Sequence, residues 1–131
     1  MDNIIKLRTK DNKNYDFEYK YFKYSNLFNT LFENDNGLEK RIDLLNVDGK
    51  SLERINYILK IVIENRVGGI LKSYLNNINN NELLILLESI HYLDIPILED
   101  LICERISDIL INNSKLELEK MFNIKLKIKI I

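Results

Sequence analysis

Apolar and polar side chains alternate along Ile4-Ile5-Lys6-Leu7-Arg8-Thr9, the period of two that marks a half-buried strand. Asp11-Asn12-Lys13-Asn14 follows, a run of turn residues that tolerate left-handed backbone. Tyr15-Asp16-Phe17-Glu18-Tyr19 then alternates aromatic and acidic side chains, so the two segments read as a hairpin. Beyond it the period changes. Leu27, Phe28, Leu31 and Phe32 share one face at helical spacing and predict a short helix, ended by Glu33-Asn34-Asp35-Asn36-Gly37. Ile42-Asp43-Leu44-Leu45 supplies a third short strand.

The remainder is helical in pattern. Asp48 is placed to cap a helix whose stripe is Leu52, Ile55, Ile58, Leu59 and Val62. Gly68-Gly69 breaks it, one or two turns follow around residues 71–75, and residues 76–81 form a polar, asparagine-rich loop. Residues 82–93 are apolar almost all round, which predicts a central buried helix. Pro96 suits the first turn of the next helix, where its missing N–H costs nothing, and Leu98, Leu101, Ile102, Ile106 and Ile109 give that helix its stripe. Ser114 and Glu117 form an S-x-x-E capping box for a last helix carrying Leu118, Met121 and Phe122. The ending, Lys125-Leu126-Lys127-Ile128-Lys129-Ile130-Ile131, alternates like an exposed strand and is read as a tail. The expected organisation is thus one domain over residues 1–124 and a Lys/Ile tail over 125–131.

Composition narrows the function classes. The chain has 131 residues, 46% of them hydrophobic, enough for one real core. Nineteen basic against 20 acidic residues leave a net charge of −1, which gives no field to draw in nucleic acid or an anionic membrane. One cysteine, Cys103, excludes an internal disulfide and suits a reducing compartment, cytoplasmic or nuclear. It is expected to act as a small core hydrophobe between Leu101, Ile102 and Ile106. The single histidine, His91, excludes a histidine pair for metal, no glycine-rich phosphate loop is present, and acidic pairs such as Glu99-Asp100 read as solvated charges. No enzyme, metal or cofactor is expected, and binding to other proteins is. Abundant Asn, Ile and Lys without alanine reflect an AT-rich genome, of a eukaryote or a large virus infecting one.

The order hairpin, helix, strand and then several helices resembles the BTB/POZ fold, and within it the S-phase kinase-associated (Skp) adaptor family and its relative elongin C. Ile5-Lys6-Leu7 through Tyr15-Asp16-Phe17 is similar to the family's opening hairpin, and Lys23-Tyr24-Ser25 with Thr30-Leu31-Phe32-Glu33 to its first helix. Leu45-Asn46-Val47-Asp48 resembles its next strand and helix cap. The most specific stretch runs from Leu86: His91-Tyr92-Leu93-Asp94-Ile95 resembles the family's Asn-Tyr-Leu-Asp-Ile, with Leu98, Asp100, Cys103 and Ile106 in register after it. Met121-Phe122-Asn123-Ile124 resembles the Thr-Phe-Asn-Ile ending.

The resemblance implies an α+β, BTB/POZ-like fold, a small three-stranded sheet with a hairpin covered by about six or seven helices. It also implies an adaptor of a cullin-RING ubiquitin ligase, bridging a cullin N-terminal domain and an F-box protein. His91, Tyr92 and Val47 match its cullin-binding positions, with His91 in place of the usual Asn. Leu98, Leu101, Ile102, Ile106, Ile109, Leu118, Met121 and Phe122 match its F-box-binding helices, although at least half of them are expected to serve this protein's own core. Two departures stand out: the acidic loop after the first helix is shortened to residues 34–40, and the Lys/Ile tail replaces the family's last helix. The second implies weakened or lost F-box binding, hence a truncated or decoy form. The competing reading is a BTB/POZ module that acts by homo-oligomerisation, a homodimer included, with no ligase role.

Overall fold

The computed structural model of the chain describes residues 3–33, 40–64, 69–114 and 116–117. Strand β1 (Ile4–Thr9) pairs antiparallel with β2 (Asn14–Glu18), Ile5 opposite Phe17 and Leu7 opposite Tyr15. Ile5, Leu7 and Thr9 point to the core, which fixes the register, because a slip of one residue would turn all three to solvent. Strand β3 (Arg41–Leu44) pairs parallel with the other edge of β1, giving the order β2-β1-β3. The third strand therefore lies one residue earlier than its pattern suggested: Leu44 is buried, and Leu45 sits in the turn at 73% exposure. A parallel neighbour needs a crossover, and two helices supply it.

The first of them, α1 (Tyr19–Phe22), is a single turn that the alternation of Tyr15 to Tyr19 concealed. Tyr21 and Phe22 are both buried, and a strand cannot turn two successive side chains to one face, whereas a helix start can. The second, α2 (Asn26–Glu33), carries Phe28 into the core, where its ring meets Phe22 edge-on at 5.9 Å. Helix α3 (Gly49–Ile63) begins under the hairpin turn. Asp48 caps it by accepting from the Ser51 N–H at 3.1 Å, and Asp11 of the turn accepts from the Gly49 N–H at 2.9 Å. Gly49 suits this close approach, since a Cβ there would lie 2.6 Å from the Tyr15 hydroxyl and push that side chain aside. Two carboxylates thus face the positive end of one helix.

Helix α4 (Ile70–Asn76) is followed by a turn shorter than the expected loop. Ile78 is buried, and Asn79 caps α5 (Asn80–Leu93) by accepting from the N–H groups of Asn81 and Glu82. The asparagines there are helix-starting residues as much as linker. Helix α5 packs against α2, α3 and α6 (Pro96–Asn112), and buries Leu83, Leu86, Ile90 and Leu93. It is not buried all round: Leu84 and Leu87 are half-buried, and Ile85, on the side its neighbours leave open, is 44% exposed. Pro96 opens α6 as expected, and the buried stripe of α6 is Leu98, Ile102 and Ile109. Cys103 is a correction. It is exposed, because at 100° per residue it lies a quarter-turn beyond Ile102 and so outside that stripe. Ser114 Oγ accepts from the Glu117 N–H at 3.2 Å, the first half of the expected capping box. Leu118, Met121, Phe122 and the tail lie outside the described residues, as do residues 34–39 of the shortened loop and Gly68. A three-stranded mixed sheet and six helices among the described residues give the expected α+β class.

Two acids tie these pieces together and set the response to pH. Asp11 accepts from Thr9 Oγ1 at 2.5 Å, which with the Gly49 N–H holds its carboxyl below the ordinary value of 3.8. Glu82 of α5 takes Lys50 Nζ at 2.8 Å and Arg54 Nη2 at 3.0 Å from α3, and these hold it below 4.5. Both pKa values fall on folding, so the unfolded chain binds more protons as acid is added. Stability is fully present above the unfolded values and is lost as pH falls through the folded ones. The urea midpoint should therefore drop between pH 5 and pH 2.5, and the double variant Asp11→Asn/Glu82→Gln should show a flatter dependence over that window; an unchanged slope would contradict this account.

Candidate protein-interaction site

The corner between α5 and α6 is built by backbone chemistry before any side chain is displayed. Asp94 ends α5 in the left-handed region (φ 55°, ψ 67°), a conformation that short polar residues tolerate. Its N–H reaches the His91 carbonyl at 3.1 Å and the Ile95 N–H reaches that of Ile90 at 3.3 Å, so the chain reverses tightly into Pro96. Helix α2 is bolted to the same corner. The wholly buried Ser25 donates its hydroxyl to the Leu93 carbonyl at 2.5 Å and accepts from the Phe28 N–H at 3.2 Å, while the Asn26 N–H donates to the Asp94 carbonyl at 2.8 Å. One serine thus caps α2 and satisfies a carbonyl at the end of α5.

The side chains displayed there include two of the expected cullin-facing residues. His91 and Tyr92 line a cavity of about 470 Å³ whose far wall is Asn26, Leu27 and Thr30 of α2, with Asp94 and Glu99 closing it. Tyr92 is half-buried, its ring packed on the core. The His91 side chain is 81% exposed, more open than a lone histidine beside an apolar helix is expected to be. It is nonetheless oriented, since its Nδ1 lies 2.8 Å from Glu99 Oε1 of α6. Glu99 is therefore a positioning group as well as a solvated acid, while Asp100 beside it is exposed. Below this pair Leu87, Glu88 and Cys103 border a shallow, mainly apolar depression. Val47 does not join the corner. It is wholly buried, between Leu44 and the α3 cap, and presents no side-chain surface for a partner.

The expected receptor-facing residues divide. Leu98 and Ile102 are wholly buried and Ile109 nearly so, which makes them core. Leu101 and Ile106 are half-buried and keep some surface, and Leu118, Met121 and Phe122 lie outside the described residues. Sequence reasoning missed the α2 wall of the cavity and the role of Glu99. Asn26 and Thr30 carry no periodic signal, and a contact eight residues apart across a helix corner appears only once the left-handed turn at Asp94 is known. Among the described residues, no group of His, Cys, Asp and Glu side chains could hold a metal ion.

A three-stranded mixed sheet whose crossover is helical, with paired helices stacked on it, is a BTB/POZ-like domain, a class that works by binding proteins. Residues 3–65, just under half of the chain, match the family model described as the Skp1 family, tetramerisation domain, so this segment is similar to that family. The match spans β1 to α3 and so contains the α2 wall of the cavity; His91 and Tyr92 lie beyond it. The sequence resemblance looked most specific from residue 86 onward, so the family match falls on the other half of the chain. No curated protein matches the chain.

Because Ser25 serves two elements from a dry position, its removal should be felt in both. Ser25→Ala leaves a buried carbonyl and an N–H without their partner and should lower stability by about 1–3 kcal/mol. Urea titration measures this. A change under about 0.5 kcal/mol, the size expected of an ordinary surface substitution, would show that the corner does not depend on the hydroxyl.

Proposed function

We propose that this chain is a Skp-like adaptor of a cullin-RING ubiquitin ligase, docking a cullin N-terminal domain on the α2–α5–α6 corner and an F-box-type receptor along α6. The observation that carries the reading is the pairing of Tyr92 with the Glu99-oriented His91 at the mouth of a cavity walled by the family-matching α2. A half-buried tyrosine offers apolar area on a rigid base and a hydroxyl at its rim, the combination that dominates many interfaces. Histidine in place of the family's asparagine, held by Glu99, gives this corner a different donor pattern and favours a retuned contact.

The receptor side is the lesser half of the proposal. Three of its five nominated α6 residues are occupied by the core, which leaves Leu101 and Ile106, with Ile97 at 45% and Ile111 at 74% exposure as additional apolar surface. An α6 with so little free apolar surface among the described residues favours a competing form, one that holds a cullin and captures a receptor weakly. This function belongs to the cytosol or nucleus, and among the described residues no helix is long and apolar enough to cross a membrane. A second reading, self-association without a ligase role, is favoured by one specific observation: the matching family model is described as a tetramerisation domain.

Pull-down of the purified chain with a cullin N-terminal domain and with an F-box protein, separately and together, tests the proposal. Cullin binding should be weakened at least about tenfold by Tyr92→Ala, equivalent to about 1.4 kcal/mol, and changed by His91→Asn, with any receptor binding left intact. Capture of the cullin alone would identify a decoy. A folded protein that captures neither, and whose mass by light scattering rises with concentration, would replace the adaptor reading with self-association.

A further inference from the structure

His91 is the chain's single histidine, and Glu99 fixes more than the direction of its ring. The His91 Nδ1 lies 2.8 Å from Glu99 Oε1, across the corner from α5 to α6. A carboxylate at neutral pH is ionised and can only accept a hydrogen bond. Nδ1 must therefore carry the proton of this bond, whether the ring is neutral or charged. In the neutral ring that leaves Nε2 bare, as an acceptor. In the imidazolium Nε2 carries a proton as well and becomes a donor. Among the described residues none bonds to Nε2, and the side chain is 81% exposed, so this atom is open to a partner. A side-chain amide offers a donor and an acceptor together at every pH. The histidine held by Glu99 offers one or the other, and a proton decides which.

The groups around the ring add a second constraint. Glu88 and Asp94 of α5 and Glu99 of α6 are acids, Tyr92 and Cys103 are the other titratable side chains, and the α2 wall contributes none. Among the described residues no lysine or arginine lines either cavity beside the ring. The local field is negative, so an incoming carboxylate or phosphate is repelled. A partner N–H or O–H is not, and it meets the lone pair of Nε2. A partner donor and a proton thus compete for one atom.

We infer that His91 sets the hydrogen-bond polarity of the docking corner: the cullin group that meets it is an N–H or O–H donor to Nε2, and a proton on the ring displaces that group. Glu99 is the positioning residue, because it confines the ring proton to Nδ1. The partner's identity rests on the adaptor reading, whereas the state of the ring rests on the geometry of the corner alone. The sign follows from linkage. The complex requires an unprotonated Nε2, so affinity is full above the imidazole range and falls as pH drops through it, roughly from pH 8 to pH 5.

Two measurements on the full chain test this. In the free chain, nitrogen-15 NMR of the imidazole at pH 8 should show a bare Nε2 and a protonated Nδ1, and Glu99→Leu should mix or reverse the two. With a cullin N-terminal domain, affinity should fall at least about fivefold between pH 8 and pH 5.5, the loss of one hydrogen bond. That window lies above the one in which Asp11 and Glu82 take up protons, so loss of the fold does not account for the change. In His91→Gln the amide N–H can donate to Glu99 while the oxygen accepts, so this variant should bind like the unsubstituted chain at pH 8 and keep that affinity at pH 5.5. Glu99→Leu should bind more weakly at pH 8, whereas Tyr92→Ala should weaken binding alike at both pH values. Cullin binding that depends on Tyr92 but is equal at both pH values, or that falls equally in His91→Gln, would overturn the inference and leave the adaptor reading standing. So would a protonated Nε2 in the free, unsubstituted chain at pH 8. Binding that strengthens toward pH 5.5 would make the partner group an acceptor, the opposite of what is inferred. Binding at neither pH, by a chain whose ring is in the expected state, would remove the adaptor reading and this inference with it.

Discussion

A buried hydroxyl holds together the part of this molecule that faces partners. Ser25 lies at the start of α2 and reaches the carbonyl of Leu93 at the end of α5, so an N-terminal and a C-terminal helix end, each with unsatisfied backbone groups, complete each other. The adjacent bond from the Asn26 N–H to the Asp94 carbonyl doubles the link. Because one bond runs from the Ser25 hydroxyl and the other from the Asn26 N–H, both to carbonyls at the end of α5, the separation of α2 from the corner is set by hydrogen-bond length. The cavity between them is a consequence: its walls cannot approach without breaking these bonds. Tyr92 and His91 are displayed on a frame and not on a loop.

The same economy appears along α6, where one helix serves three environments. Its stripe of Leu98, Ile102 and Ile109 is consumed by the core, one flank carries Glu99 to His91, and the other, with Arg105, borders a pocket beside α4. Apolar residues spaced by three and four along a helix are usually read as a single face. Here they spread over more than that face, which explains why the nominated receptor residues divide into buried and half-buried sets.

What was legible in the sequence follows from which forces act locally. The hairpin, the Asp48 cap and Pro96 at the start of α6 depend on neighbouring residues, and each was readable from a handful of positions. The one-turn helix α1 was not, because an aromatic–acidic alternation is equally consistent with a strand until the burial of both Tyr21 and Phe22 is known. Cys103 was misplaced for a related reason: an apolar neighbourhood in sequence says little about a side chain a quarter-turn away. The site was half legible. Tyr92 and His91 were found through the resemblance, whereas Asn26, Thr30 and Glu99 depend on how distant segments meet. Val47 matched by position yet faces inward, since a residue just before a helix cap can be spent on closing the core.

The left-handed backbone at Asp94 bears on how the history of such proteins is to be read. Only glycine, asparagine and aspartate adopt that conformation at little cost, and most other residues would strain the corner before any partner arrived. Drift at position 94 is therefore narrow for reasons internal to one chain. An unvarying aspartate there across relatives would record the geometry of a turn and would say nothing about who binds beside it; variation at positions 91 and 99, where the backbone is ordinary helix, is where a change of partner would leave its trace.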